Sequence, residues 1–225
     1  MSVHLPFPDR LEAGRLLGAE VALRNLPEPR IVLGLTRGGV PVARGVAAAL
    51  GATLDVVVVR KLGVPWQPEL AMGAIAGGVR TLDEHLIQEI GVSEAELEKI
   101  VDRETAEAER REKLFRNGRS APELEGHTVI LVDDGLATGS SMLAAIRYVD
   151  NARPARVVIA VPVGSVQACR HLKGIANDCI CLATPEPFYA VGAWYTDFTQ
   201  VTDAEVQRIL EESRQHAYPT ELAFS

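Results

Sequence analysis

The chain has 225 residues, 24 % of them charged and 47 % hydrophobic, enough for one α/β domain with a small appendage and a substantial core. Its formal charge of −7 and pI near 5.3 argue against a general affinity for nucleic acid or an anionic membrane surface, so any phosphate site has to be local. No apolar run approaches membrane-spanning length, and the opening MSVHLPFPDR lacks a signal peptide's apolar core, so the expectation is a soluble cytoplasmic protein. The three cysteines (169, 179, 181) read as packing residues in a reducing compartment, Cys179 and Cys181 sharing one strand face in a geometry that disfavours a disulfide between them. The five histidines (4, 85, 127, 171, 216) show no metal-ligand spacing.

In chain order, Asp9 to Leu26 carries helically spaced apolar residues (Leu11, Leu16, Leu17, Val21, Leu23) and is expected to end at Pro27. Ile31 to Leu35 is a short buried strand, followed by Thr36-Arg37-Gly38-Gly39 and a helix from Val40 to Leu50 with Pro41 in its first turn. Thr53 to Val59 is a second buried strand, ending in Arg60-Lys61. Leu62 to Gly78 reads as irregular and rich in Pro and Gly, with a hairpin pattern over Ala71 to Arg80. Ser93 and Glu96 form a capping box that opens a long charged helix reaching about Arg116, with Gly118 and Pro122 beyond its end. Further strands fall at Val129–Val132, Val157–Val161 and Cys179–Ala183. A helix starts near Ser165 and a last one at Thr202 or Asp203, ending before Pro219. Strand and helix alternate, which implies a doubly wound, mostly parallel sheet. There are no repeats or low-complexity tracts, and residues 1–225 read as a single domain.

The most informative segment is Val129 to Ser141. Four apolar residues run into Asp133 and Asp134, and then into Gly135-Leu136-Ala137-Thr138-Gly139-Ser140-Ser141. The apolar run reads as a strand buried on both faces, and its carboxyl end is where open α/β sheets bind ligands. The small residues let backbone N–H groups approach an anion at a helix N-terminus, where the dipole also favours negative charge. An ordinary Gly-rich turn does not require two acids together with Thr138, Gly139, Ser140 and Ser141. A nucleotide-binding P-loop is excluded because no Lys follows Gly139, and no G-x-G-x-x-G opens a helix.

All thirteen positions resemble the PRPP-binding motif of type I phosphoribosyltransferases. The resemblance implies that fold, with a small hood made from the N-terminal segment and Pro185 to about Gln200. It implies Mg²⁺-dependent transfer of a 5-phosphoribosyl group from PRPP to a nitrogenous acceptor, with release of pyrophosphate. Asp133 and Asp134 would position the ribose hydroxyls, and Gly135 to Ser141 would hold the 5′-phosphate. Thr36, Arg37, Gly38 and Gly39 take the place of the family's pyrophosphate loop, which often holds a non-proline cis peptide. Arg37 adds a bidentate donor there, and Arg60 and Lys61 at the next strand end are further pyrophosphate candidates. Leu62 to Gly77 resembles in position the family's mobile loop. Phe188, Tyr189 and Trp194 lie in a segment similar to the base-contacting stretch of purine-salvage members. The Asp-aromatic pair that follows falls one residue later than in those members, and Asp197 would be its magnesium contact. Ala137 stands where 6-oxopurine enzymes of the family usually carry an acid, which points to an acceptor outside that class. The expected partners are PRPP and a small-molecule acceptor, with no nucleic acid or membrane, in a homodimer.

Two matters stay open on the sequence. The basic cluster Arg110, Arg111, Lys113, Arg116 and Arg119 either sends a cation or two to the phosphates, or forms a subunit interface, or belongs to a solvated face. The rival function is a PRPP- or nucleotide-sensing regulator on the same fold, which would need a basic face or an added nucleic-acid-binding region; the discriminator is nucleic-acid binding that survives physiological salt.

Overall fold

The computed structural model describes residues 4–217. Helix α1 (Arg10–Ala22), capped by Asp9, precedes strand β1 (Arg30–Leu35), helix α2 (Gly39–Leu50) and strand β2 (Thr53–Val57). The chain then leaves the first sheet for a second one, made of β3 (Val59–Val64), β4 (Gln67–Ala76) and β5 (Val79–Leu82). Helices α3 (Glu84–Ile90) and α4 (Glu94–Arg116) return it to β6 (Thr128–Val132), α5 (Ser140–Asp150), β7 (Arg156–Val163), α6 (Val166–Lys173) and β8 (Asp178–Ala183). A 3₁₀ turn at Val191–Trp194 and helix α7 (Asp203–Ala217) follow. The expected end of the last helix before Pro219, like Met1–Val3 of the single-domain reading, lies outside the described residues.

The main sheet is fully parallel in the order β2-β1-β6-β7-β8. Alternate side chains divide between two cores. Val32, Ile130, Val132 and Val158 pack with α1, α2 and α7, while Leu33, Leu131, Ile159 and Val161 pack with α5, α6 and part of β4. Both faces are covered, which is why these strands read as unbroken apolar runs. The order reverses between β1 and β6, and the crevice at such a switch point is where open parallel sheets bind ligands.

Three expectations need correction. α1 stops at Ala22, short of Pro27, with Asn25 in a left-handed conformation in the link. The second buried strand ends at Val57, and its expected tail begins the second sheet. The stretch expected to be an irregular, mobile loop is an antiparallel sheet whose β4–β5 turn uses Gly77 and Gly78 at positive φ. Leu62, Val64, Met72 and Ile75 form a core of their own with Leu97, Ile100 and Val101 of α4. Register shifts at Leu62/Gly63 and Gly63/Val64 break the alternation that would have marked β3 as a strand. The short α3, capped by Asp83, was not anticipated at all.

Helix α4 starts at the Ser93–Glu96 capping box as expected. Its first half covers the second sheet, and Ala108 and Phe115 in its second half join the main core. The basic cluster near its end is largely internal. Arg110 and Arg111 both grip Glu107, pulling its carboxyl down to about 2. Arg116 turns inward to Asp55 and Glu112, and Arg119 lies 3.8 Å from Glu211. Among the described residues no helix is long and apolar enough to cross a membrane.

Candidate active site

Two loops meet at the switch point. Gly34 of β1 pairs with Val132 of β6, so the two strands end at the same level. The loop after β1 reaches α2 through Thr36, Arg37 and Gly38, and the Thr36–Arg37 peptide is cis. The loop after β6 runs from Asp133 to Gly139 and opens α5. Their contact requires glycine. A Cβ on Gly39 would stand 2.5 Å from the Val132 carbonyl oxygen, and one on Gly38 would land inside the Asp134 carboxylate.

The two acids differ in surroundings. Asp134 Oδ2 accepts a 2.8 Å charged hydrogen bond from Arg10 Nε, with both side chains mostly enclosed. Burial pushes the Asp134 carboxyl up, and the Arg10 charge and hydrogen bond oppose that. Asp133 accepts the Asp134 N–H at 2.9 Å. Burial raises its carboxyl well above the usual range, and the neighbouring Asp134 charge adds to the effect; Arg10 and Lys61 counter it only through space. One acid therefore has a cation in contact and the other does not.

Beyond the acids the loop is held from below and open above. Leu136 is buried and bridges Gly164: its N–H donates to the Val163 carbonyl at 2.9 Å, and its carbonyl accepts from Ser165 N–H at 2.8 Å. Ser165 Oγ donates to the Ala137 carbonyl at 2.7 Å. Ala137, Thr138 and Ser140 are exposed, with the hydroxyls of Thr138 and Ser140 3.1 Å apart. Gly139, at φ 84°, turns the chain into α5, whose first N–H groups have no partner within the helix. Gly135 lies directly under Val191, and Ser141 occupies the first turn of α5.

The hood forms from the two expected segments. Phe7 bridges Tyr195, with Phe7 N–H on the Trp194 carbonyl and Thr196 N–H on the Phe7 carbonyl, both at 2.8 Å. The buried Tyr195 hydroxyl donates to the Asp134 carbonyl at 2.6 Å. The Arg10 guanidinium lies 3.8 Å from the centroid of the Phe198 ring and also donates to the Thr199 carbonyl. Hood and loops enclose an open cleft of about 410 Å³, lined by Arg10, Arg37, Gly38, Asp134, Phe198, Gln200 and Val201.

Against this geometry the comparisons with known proteins are specific. A model of the phosphoribosyl transferase domain matches residues 22–186. The chain belongs to this family. Its sequence is 43 % identical over 208 residues to two Mycobacterium tuberculosis proteins provisionally named phosphoribosyl transferases, a stretch that is 92 % of this chain and 47 % of theirs. The chain thus spans about half the length of these curated relatives. A Thermus thermophilus protein of known crystal structure is 44 % identical, with a TM-score of 0.77 over 92 % of this chain and 98 % of its own. An Aquifex aeolicus protein at 12 % identity, covering 89 % of this chain and 84 % of its own, shares the fold alone at a TM-score of 0.51.

The remaining candidates fall unevenly around the site of this phosphoribosyl transferase domain. Arg37 lines the cleft, 3.5 Å from Asp203 at the start of α7. Lys61 is exposed and acts on Asp133 through space. Arg60 is taken by Glu104 of α4 through contacts of 2.6 and 2.8 Å, because neighbouring strand residues point to opposite faces. Asp197 Oδ1 accepts both the N–H and the hydroxyl of Thr199. Phe188 and Trp194 pack against each other, 6.2 Å between ring centres, and Tyr189 is 84 % exposed; none of the three lines the cleft. Arg10, Tyr195 and Phe198 do reach the site, and none was a candidate. Arg10 is 124 residues from the acid it holds, and no local pattern in the sequence signals that pairing.

Proposed function

We propose that the domain transfers the 5-phosphoribosyl group of PRPP to a nitrogen nucleophile of a small acceptor. The bond from the ribose anomeric carbon to pyrophosphate breaks, the bond to the acceptor nitrogen forms, and that nitrogen gives up its proton. The observation that carries this reading is the juxtaposition of Asp133, an acid with no cation in contact, with an exposed loop that opens a helix. A phosphorylated sugar offers hydroxyls to the first and a phosphate to the second.

The 5′-phosphate is assigned to Gly135–Ser141, where α5's first N–H groups and the hydroxyls of Thr138, Ser140 and Ser141 converge. Asp133 and Asp134 accept from the ribose hydroxyls, and their charge favours the cationic character that develops on the sugar ring. Arg37 and Lys61 neutralise the departing pyrophosphate, with Thr36, Gly38 and Gly39 providing backbone around it; Arg60, held by Glu104, contributes to packing instead. Among the described residues no group of three side chains forms a metal site. That donor set suits a magnesium ion arriving with pyrophosphate, since such ions take one or two protein carboxylates and otherwise phosphate and water oxygens. Asp133 is the residue placed to hold it, and when bound it adds positive charge at the leaving group. For the acceptor we retain the aromatic segment with Phe188, Tyr189 and Trp194, and add Phe198 and Gln200 from the cleft wall. Ala137 offers no acid to a ring nitrogen, which favours acceptors outside the 6-oxopurine class.

The test is pyrophosphate release from PRPP across a panel of bases. Asp133→Asn with Asp134→Asn should lower turnover by about two to three decades while circular dichroism stays unchanged. Near-native turnover in that double variant would overturn the site assignment. PRPP binding without release for any base would replace catalysis by a sensing role.

A further inference from the structure

The three cysteines, 10 and 12 residues apart in sequence from helix to strand, converge behind the phosphate loop. Cys169 lies in α6, and Cys179 and Cys181 lie on the same face of β8, which is the edge strand of the main sheet. All three are partly exposed and pack on one core. They close around Gly164: a Cβ there would stand 2.7 Å from the Cys169 sulfur and 3.5 Å from the Cys181 sulfur. The thiols of Cys179 and Cys181 both hydrogen-bond the Cys169 sulfur, so Cys169 is the member whose charge its neighbours stabilise and whose pKa falls below the usual thiol range. The other two are pushed up by the same contacts and by burial.

The position of this trio gives it a mechanical link to the site. Gly164 and Ser165 join β7 to α6, and the same two residues bridge and hydrogen-bond the phosphate loop at Leu136 and Ala137. Leu172 and Ala168 of α6 form the wall nearest Gly139, where the loop enters α5. A covalent tie between α6 and β8 therefore acts on the element that supports the phosphate loop from below.

We propose that Cys169 is a peroxide-reactive thiol whose oxidation ends in a disulfide to Cys181 or Cys179, and that this bond weakens anion binding at the phosphate loop. The Cys169 thiolate attacks one peroxide oxygen and releases hydroxide, giving a sulfenic acid. A strand thiol then attacks that sulfur, forming the disulfide and releasing water, so two thiols are oxidised as one peroxide is reduced. The choice between Cys181 and Cys179 is one of attack geometry, since both face the same sulfur.

The experiment exposes the full chain to hydrogen peroxide, counts free thiols, maps the link by mass spectrometry, and measures inorganic phosphate binding by calorimetry before oxidation, after it, and after dithiothreitol. Three free thiols should fall to one, the link should contain Cys169, and phosphate affinity should drop roughly tenfold, a size typical of coupled sites, and return on reduction. Cys169→Ser should keep its two thiols and its phosphate affinity under the same treatment. Three surviving thiols, a link between Cys179 and Cys181, or a link between chains would overturn the thiol assignment. A Cys169 disulfide that leaves phosphate affinity unchanged would overturn the coupling. Because thiol count and link position do not depend on turnover, they are read separately from the proposed transferase activity.

Discussion

The buried acids of the α4 seam and those of the candidate site are treated in opposite ways. In the seam, Asp55 meets Arg116 at 3.4 Å, and Glu104 meets Arg60 and Arg103 at 2.6 and 3.0 Å. Arg116 also donates to the Val56 carbonyl and to Glu112, so its buried charge is fully engaged. At the switch point Asp134 has one arginine, and Asp133 has only a backbone N–H. Where the protein needs acids for attachment it supplies their cations. Where it leaves an enclosed acid without one, the missing charge and donors are left for a ligand, at a cost in stability.

The comparison can be broken most forcefully in the seam. Arg116→Ala strands Asp55 in the core and should cost about 3–5 kcal/mol of unfolding free energy, measured by urea titration. A loss no larger than that of a surface substitution would mean that the pair does not hold α4 to β2. Glu104→Gln keeps the shape and leaves Arg60 and Arg103 with solvent as an alternative, since their side chains are 29 % and 69 % exposed. Its cost should be smaller, about 1–2 kcal/mol, with PRPP turnover retained.

Asp133→Asn sharpens the other half of the contrast and has the smallest expected effect on stability. The Asp133 pKa is raised in the folded protein, so its contribution to stability is fully present below the unfolded Asp value, near 3.9, and is lost as pH rises through the folded value. The asparagine variant lacks that loss. Its melting temperature should match the native one at pH 3 and rise above it as pH increases, even as catalysis fails. A variant that melts lower than the native protein at pH 8 would show that Asp133 is a structural anchor like Asp55.

Much of this was determined by the sequence alone, for a local reason. The strand Val129–Val132, the acids after it, the small residues of the phosphate loop and the Ser93–Glu96 cap are read from neighbours a few positions apart, because burial on both faces, capping and turn geometry are satisfied within one element. The family follows from those residues. Even the opposed directions of Arg60 and Lys61 follow from strand alternation once β3 is known to be a strand. That β3 and β4 are strands was hidden, since register shifts and turn-forming residues obscure their period while a core shared with α4 supplies the stability. Only the tertiary structure brought Arg10 to Asp134, the Tyr195 hydroxyl to the Asp134 carbonyl, Arg116 to Asp55, and Cys169 to two strand thiols. Each of these pairings joins side chains from separate elements, and what fixes them is how layers pack and which charges packing leaves to be met, a property of the assembled fold that no short stretch of chain carries.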